Sequence, residues 1–166
     1  GPNSVSRLDP DIVAVGWSAT GDRTLNERTN ANEAHTTWGG TSLATPIAAG
    51  LGALIIEAWK DVHGTYPTSE QVRDIMMSTA DDRGYDPLVQ GAGWANVSRA
   101  VETITGENGT LSVEPASWMT GMFDGAHRDA NLNFIRPGEN QTMSLTLSNP
   151  GSTNISVNLQ PQIMVP

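Results

Sequence analysis

The residues specify an α/β chain that gives way to β structure, and three patterns carry that reading. A short β-branched apolar run, Asp11-Ile12-Val13-Ala14-Val15-Gly16, ends in glycine and reads as a buried strand. Between residues 42 and 106, apolar side chains recur three times at helical spacing. Beyond residue 107 they alternate with polar neighbours, the period of a half-buried strand.

Residues 18–37, rich in Thr, Asn and Glu, follow the strand as a long surface loop with room for a hairpin inside it. In the first helix Ile47, Leu51, Leu54, Ile55, Ala58 and Val62 form one stripe. Its first half is made of small residues, among them Ala48, Ala49, Gly50 and Gly52. Each internal glycine costs about 1 kcal/mol relative to alanine, so such a face makes sense where another backbone must come close. Gly64 stops this helix. The second starts at Thr68, with Gln71 as its capping-box partner and Val72, Ile75 and Met76 facing inward. The third follows Gly91-Ala92-Gly93-Trp94, takes Asn96 as N-cap, carries Val97, Val101 and Ile104 as its stripe, and ends at Gly106. Then Leu111 and Val113, Met143 to Leu147, and Ile155 to Leu159 alternate. The turn cluster 149–154 joins the last two runs as a strand-turn-strand unit. A boundary near 106–110 divides the chain into residues 1–106 and 107–166. Three or four strands are fewer than the roughly seven of a closed β-sandwich, so the second part reads as an incomplete one.

The 166 residues carry Lys+Arg 9 against Asp+Glu 18, a formal charge of -9. That balance argues against nucleic acid as the main partner, because phosphate binding needs clustered Lys and Arg. The longest apolar run, Ile47–Ile56, is short of the roughly 20 residues of a bilayer span, so no transmembrane segment is expected. Zero cysteines exclude disulfides, thiolate zinc sites and a cysteine nucleophile. Nothing in the sequence sets an oligomeric state.

The chemistry concentrates at Gly39-Gly40-Thr41-Ser42-Leu43-Ala44-Thr45-Pro46. A glycine turn delivers Ser42 to a helix start, where free N–H groups and a partial positive charge favour an oxyanion. Glycines there also let a substrate backbone approach. Pro46 is tolerated within the first turns, where its missing N–H has little to satisfy. On these grounds alone a Gly-Thr-Ser before a helix is more often a simple cap.

The run closely resembles the nucleophile motif of the subtilisin-like serine peptidases, the subtilases: Gly40-Thr41-Ser42-Leu43-Ala44-Thr45-Pro46 fits its Gly-Thr-Ser-x-Ala-[TS]-Pro at every fixed position. Two more stretches resemble the family in order along the chain. Gly1-Pro2 with Asp9-Pro10-Asp11-Ile12-Val13-Ala14-Val15-Gly16 lies upstream, and Gly91-Ala92-Gly93-Trp94-Ala95-Asn96 with Ala100-Val101 lies downstream. Asp9 and Val15 replace the usual Lys and Pro, and Leu43 replaces the commonest Met, removing an oxidisable thioether beside the serine. The resemblance implies the C-terminal half of a parallel-sheet peptidase domain over residues 1–106, then the start of a fibronectin III-like accessory sandwich over 107–166. It implies a serine endopeptidase acting on protein or peptide substrates outside the cell or at its surface, with Ser42 as nucleophile. The base His, its orienting Asp and the oxyanion Asn are then expected ahead of residue 1. His35 precedes Ser42 but falls in the loop immediately before it, not far upstream. The 166 residues alone are expected to be inactive, because a serine without a positioned base is a weak nucleophile.

Other candidates have simpler readings. His35, His63 and His127 include no pair at i, i+4, so no imidazole metal site is expected. His63 suits a helix C-terminus. Asp81, Asp82 and Asp86 form an acidic loop that reads as a solvated turn. No cofactor is evident, and structural calcium enters only as what the resemblance implies for a longer protein. Sequons stand at Asn96, Asn108, Asn140 and Asn154, with Asn96 better read as a cap. Trp38 either lines a cleft or packs in the core. The alternatives to a peptidase are a non-catalytic piece that keeps the motif as a cap and a surface module that binds through its β part. An Asp and a His in family context upstream favour the peptidase, whereas binding by residues 107–166 favours the module.

Overall fold

In the computed structural model the described residues are 9–17, 19–22, 35–108, 111–118, 137–138, 140, 142–149 and 154–161. Backbone alone is described at 19–22 and 35–36. Gly1-Pro2, His127 and most of the 149–154 turn lie outside them.

The polar loop folds as the hairpin it has room for. β1 (Ala19–Asp22) pairs antiparallel with β2 (His35–Trp38), Ala19 opposite Trp38 and Asp22 opposite His35. α1 (Thr41–His63) begins after two intervening glycines and ends where expected, on Gly64 in the left-handed conformation at φ 69. Lys60 and His63 occupy its last turn, a favourable place for cations. α2 (Ser69–Ser78) carries a full capping box: the Thr68 hydroxyl accepts from Gln71 N–H, and the Gln71 side chain accepts from Thr68 N–H. α3 (Pro87–Gln90) is one short turn capped by Asp86. α4 (Val97–Thr105) starts on Asn96, whose Oδ1 accepts from Arg99 N–H, and ends on left-handed Gly106.

The core is built where the helical stripes meet. Leu51 and Ile55 of α1, Ile75 of α2, and Ala100 and Ile104 of α4 are buried together, flanked by Val72, Met76 and Trp59. At about 25 cal/mol per Å² of apolar surface, burying each of these large side chains contributes about 1.5–3 kcal/mol. α1 is only half used. Ile47, Leu54 and Val62 of the predicted stripe stay exposed, at 41, 42 and 49%. It is the helix, among the described residues, long and apolar enough to cross a membrane, with a mean hydropathy of 1.4 over 18 residues. The longest run without a polar residue had concealed this, because the span's Ser and Thr residues and its few charges are diluted over the longer window.

The expected strand 11–16 is only partly realised. Val13 forms a single parallel bridge with Trp94, and Asp81 bridges Trp94 antiparallel from the other side. A one-residue bridge, not a ladder, results because the described neighbours of residues 14–16 are a turn and a helix end. In the last third, β3 (Ser112–Glu114) pairs antiparallel with β4 (Thr146–Ser148), Val113 opposite Leu147. The pairing of 143–147 with 155–159 read from the sequence is not formed, and residues 154–161 carry no strand. Alternation marks which residues can be strands; it does not say which strand they choose.

Candidate functional site

The serine turn is a crossing of two backbones. Gly16 carbonyl accepts from Gly40 N–H at 2.6 Å, tying the end of the 9–17 segment to the N-cap of α1. A Cβ on Gly39 would collide with the Trp17 ring, so the crossing requires glycine there. Gly40 itself holds φ 141, a conformation that L side chains rarely adopt. With glycine as N-cap, the helix start has no side-chain cap bond among the described residues. Ser42 is the second helical residue and is exposed. Leu43, the next residue, is buried at 9% and anchors the turn, while the Thr45 hydroxyl folds back onto Thr41 carbonyl at 2.8 Å. The arrangement presents a hydroxyl and the positive end of a 23-residue helix to one side, with the opposite side nailed down.

A groove of about 740 Å³ runs beside this turn, lined by Ile12, Ala14 and Gly16 on one wall and Thr41, Ala44 and Ala48 on the other. Its walls are mostly small and apolar, with Asp9, Thr41 and Thr45 adding polar groups.

The other sequence candidates fall elsewhere. His63 is 21 residues further along α1, about 30 Å from Ser42 at 1.5 Å per residue. It stacks on Trp59 with ring centroids 4.2 Å apart. His35 occupies the first position of β2. Trp38 is 40% exposed at the strand end next to the turn. The acidic loop spends its carboxylates locally. Asp81 pairs with Arg99 at 2.7 Å and accepts from Asn96 Nδ2 at 3.2 Å. Asp82 accepts from Gly84 N–H and Gln90 Nε2, both at 2.7 Å, and these bonds hold its carboxyl below the ordinary aspartate value. Asp86 caps α3. Among the described residues no group of three His, Asp or Glu side chains is arranged to hold a metal ion.

Sequence reasoning missed the side chains that tie these segments together. Arg73 forks onto Asp11, Nε to Oδ2 at 3.1 Å and Nη2 to Oδ1 at 2.9 Å. Arg99 places Nη1 on Thr79 and Ala80 carbonyls at the end of α2, at 3.4 and 3.3 Å. Gln90, 4% exposed, joins Arg83 N–H, Asp82 and Tyr85 carbonyl. No local sequence signal announces these partners, which lie 62, 19–20 and 5–8 residues away.

Over 109 residues the chain is 30% identical to the serine protease AprX of Bacillus subtilis, covering 61% of this chain and 24% of that protein. It is 31% identical over 113 residues to halolysin of Haloferax mediterranei, covering 63% and 20%. It is also 31% identical over 143 residues to the PII-type proteinase of Lactococcus lactis subsp. cremoris, covering 69% and 7%. The chain therefore spans about a quarter or less of the length of these relatives. Among solved structures, the self-cleaved protease domain of PatA aligns at 27% identity with a TM-score of 0.40, over 56% of this chain and 31% of that one. The profile of the subtilase family matches residues 1–95, more than half of the 166, and takes in the 9–16 segment, the Ser42 turn and the Gly91–Gly93 turn. By that match the chain belongs to the subtilase family.

Proposed function

We propose that this chain is the nucleophile-bearing part of a serine endopeptidase that cleaves protein substrates by acyl transfer. The observation that carries the reading is Ser42: an exposed hydroxyl at the second position of a long helix with a glycine N-cap, inside a seven-residue motif that fits the family. Its Oγ attacks the scissile carbonyl carbon and its proton passes to an imidazole. The Ser42 N–H, at the second position of α1, faces the oxyanion. The imidazole then returns the proton to the leaving amine as the C–N bond breaks, and water releases the acyl group by the same route. That imidazole, its aspartate and a second oxyanion donor come from sequence preceding residue 1. The placement of His63 supports this assignment: it stands at the far end of α1, about 30 Å along the helix from Ser42.

Residues 107–166 belong to an accessory β-domain, with β3 and β4 as paired strands of it, and structural calcium is part of this reading for the full-length protein. The enzyme works outside the cell or on its surface. Asn108, Asn140 and Asn154 of the sequons are exposed, which suits that location, whereas Asn96 is engaged as a cap.

The test is active-site labelling of the full-length protein with a fluorophosphonate. We expect one equivalent of label on the peptide containing Ser42, and a fall in kcat of about six orders of magnitude in Ser42→Ala. Peptidase activity that survives Ser42→Ala, or label on another serine, overturns the assignment.

A further inference from the structure

Beyond the end of the family match, a short strap is bonded to the machinery that presents Ser42. Residues 115–118 follow β3 and lie on α2. Two adjacent α2 residues hold two adjacent strap residues: Asp74 Oδ1 accepts from Ala116 N–H at 3.1 Å, and Arg73 Nη2 donates to Ser117 Oγ at 3.0 Å. The same Arg73 makes its two-pronged contact with Asp11. Asp11 carbonyl in turn accepts from Ala92 N–H at 2.8 Å, and five residues further on Gly16 carbonyl holds the Gly40 N-cap of the Ser42 helix. Every step in this line is a direct bond or a short stretch of chain. Burial strengthens it: Asp74 is 4% exposed, and the Arg73 and Asp11 side chains are 26 and 34% exposed, so the fork is partly shielded from water. A partly open cavity of about 200 Å³ lies between Asp11, Arg73, Met77, Ala92 and Ser117, under the strap.

We propose that Arg73 is a positioning residue for the peptidase reaction and that the strap 115–118 works through it, so that the region after the peptidase motifs sets the placement of Ser42 rather than hanging from it freely. This rests on the assignment of Ser42 as nucleophile. The interactions that brace the 9–17 segment fix the Gly16–Gly40 bond, and that bond fixes where the Ser42 hydroxyl stands. Loosening a positioned nucleophile by a fraction of an ångström costs turnover before it costs binding.

The experiment uses the full-length protein and a short chromogenic peptide, with active sites counted by fluorophosphonate titration. Arg73→Gln removes the fork and Ser117→Ala removes only the strap hydroxyl. We expect kcat per titrated site to fall by roughly tenfold in Arg73→Gln and roughly threefold in Ser117→Ala, with KM within twofold and a matching fall in labelling rate. The double variant should fall no further than Arg73→Gln alone, because both act through one guanidinium. Exchanging the partners in Asp11→Arg/Arg73→Asp should recover part of the loss. If Arg73→Gln does not fold, Ser117→Ala, a change of one hydroxyl at a half-buried site, decides the matter alone. Unchanged kcat and labelling rate in the folded variants, or a loss seen only as a lower melting temperature, overturns the proposal. Absence of label on Ser42 in the parent protein instead defeats the peptidase assignment itself, a result read before any variant is made.

Discussion

Gly91 and Gly84 both hold positive φ, 61 and 74, yet only one is crowded. A Cβ on Gly91 would collide with the carbonyls of Pro10 and Asp11, whereas around Gly84 there is open space. Gly84→Ala should therefore cost only the left-handed strain, about 1 kcal/mol, and Gly91→Ala at least about 2–3 kcal/mol more, read from urea midpoints of the full-length protein. Equal losses would mean that the crossing of residues 10–11 over the 91–93 turn is not tight. Asp82 supplies a pH dependence. Its folded carboxyl is held below 3.8, first by the Gly84 N–H and then by Gln90. A depressed carboxylate contributes stability that is complete above the unfolded value and lost as pH falls through the folded one. Asp82→Ala should therefore be less stable than the parent at pH 6, and the difference should shrink as pH drops below 3.8. A gap that stays constant down to pH 2 would contradict this. At this scale Ser42 was legible because its neighbours in sequence are its neighbours in space. Arg73 was not, since its partners Asp11 and Ser117 are 62 and 44 residues away.

The helices were legible element by element because their boundaries are set locally. Thr68 with Gln71, Asn96, Gly64 and Gly106 all act within four residues of themselves, so type and spacing suffice to place them. Strand pairing is a different problem. Val113 chose Leu147, and nothing within either run records that choice. The two caps should also differ in cost. Thr68 serves α2 alone, on an exposed edge, and Thr68→Ala should lose about 1 kcal/mol. Asn96 caps α4 and also donates from Nδ2 to Asp81, which holds Arg99 against the end of α2. Asn96→Ala removes both roles and should lose roughly twice as much, while Asn96→Asp keeps the cap but faces Asp81 with a like charge. Thermal melts of the three variants check the order: Thr68→Ala mildest, Asn96→Ala harsher, and Asn96→Asp recovering little. Full recovery in Asn96→Asp would show that the bond to Asp81 contributes nothing.

Over the whole molecule, two opposed surfaces govern the behaviour of the 166 residues on their own. One is the open face of α1, where Ile47 and Leu54 are more than 40% exposed and nothing lies within 4 Å of a Cβ on Gly50. The sequence reading foresaw a small-residue face built for a close backbone, and among the described residues no backbone takes that place at Gly50. Contiguous apolar surface of this kind drives association. The other is the net charge of -9, which keeps copies apart through long-range repulsion. The two respond oppositely to salt. The Debye length falls from about 10 Å at 0.1 M to about 3 Å at 1 M, so added salt removes the repulsion while leaving apolar burial intact. The isolated 17.6 kDa chain should thus self-associate, and more so at 1 M than at 0.1 M sodium chloride, by light scattering after size exclusion. Ile47→Lys/Leu54→Lys places charge on the open face without touching Leu51, Ile55 or the Ser42 turn, and should return the particle toward monomer at both salt concentrations. A parent chain that stays monomeric in 1 M salt would mean that the α1 face is covered from within. Association unmoved by the double substitution would place the contact elsewhere, with the edges of β3 and β4 that are unpaired among the described residues the next surface to test.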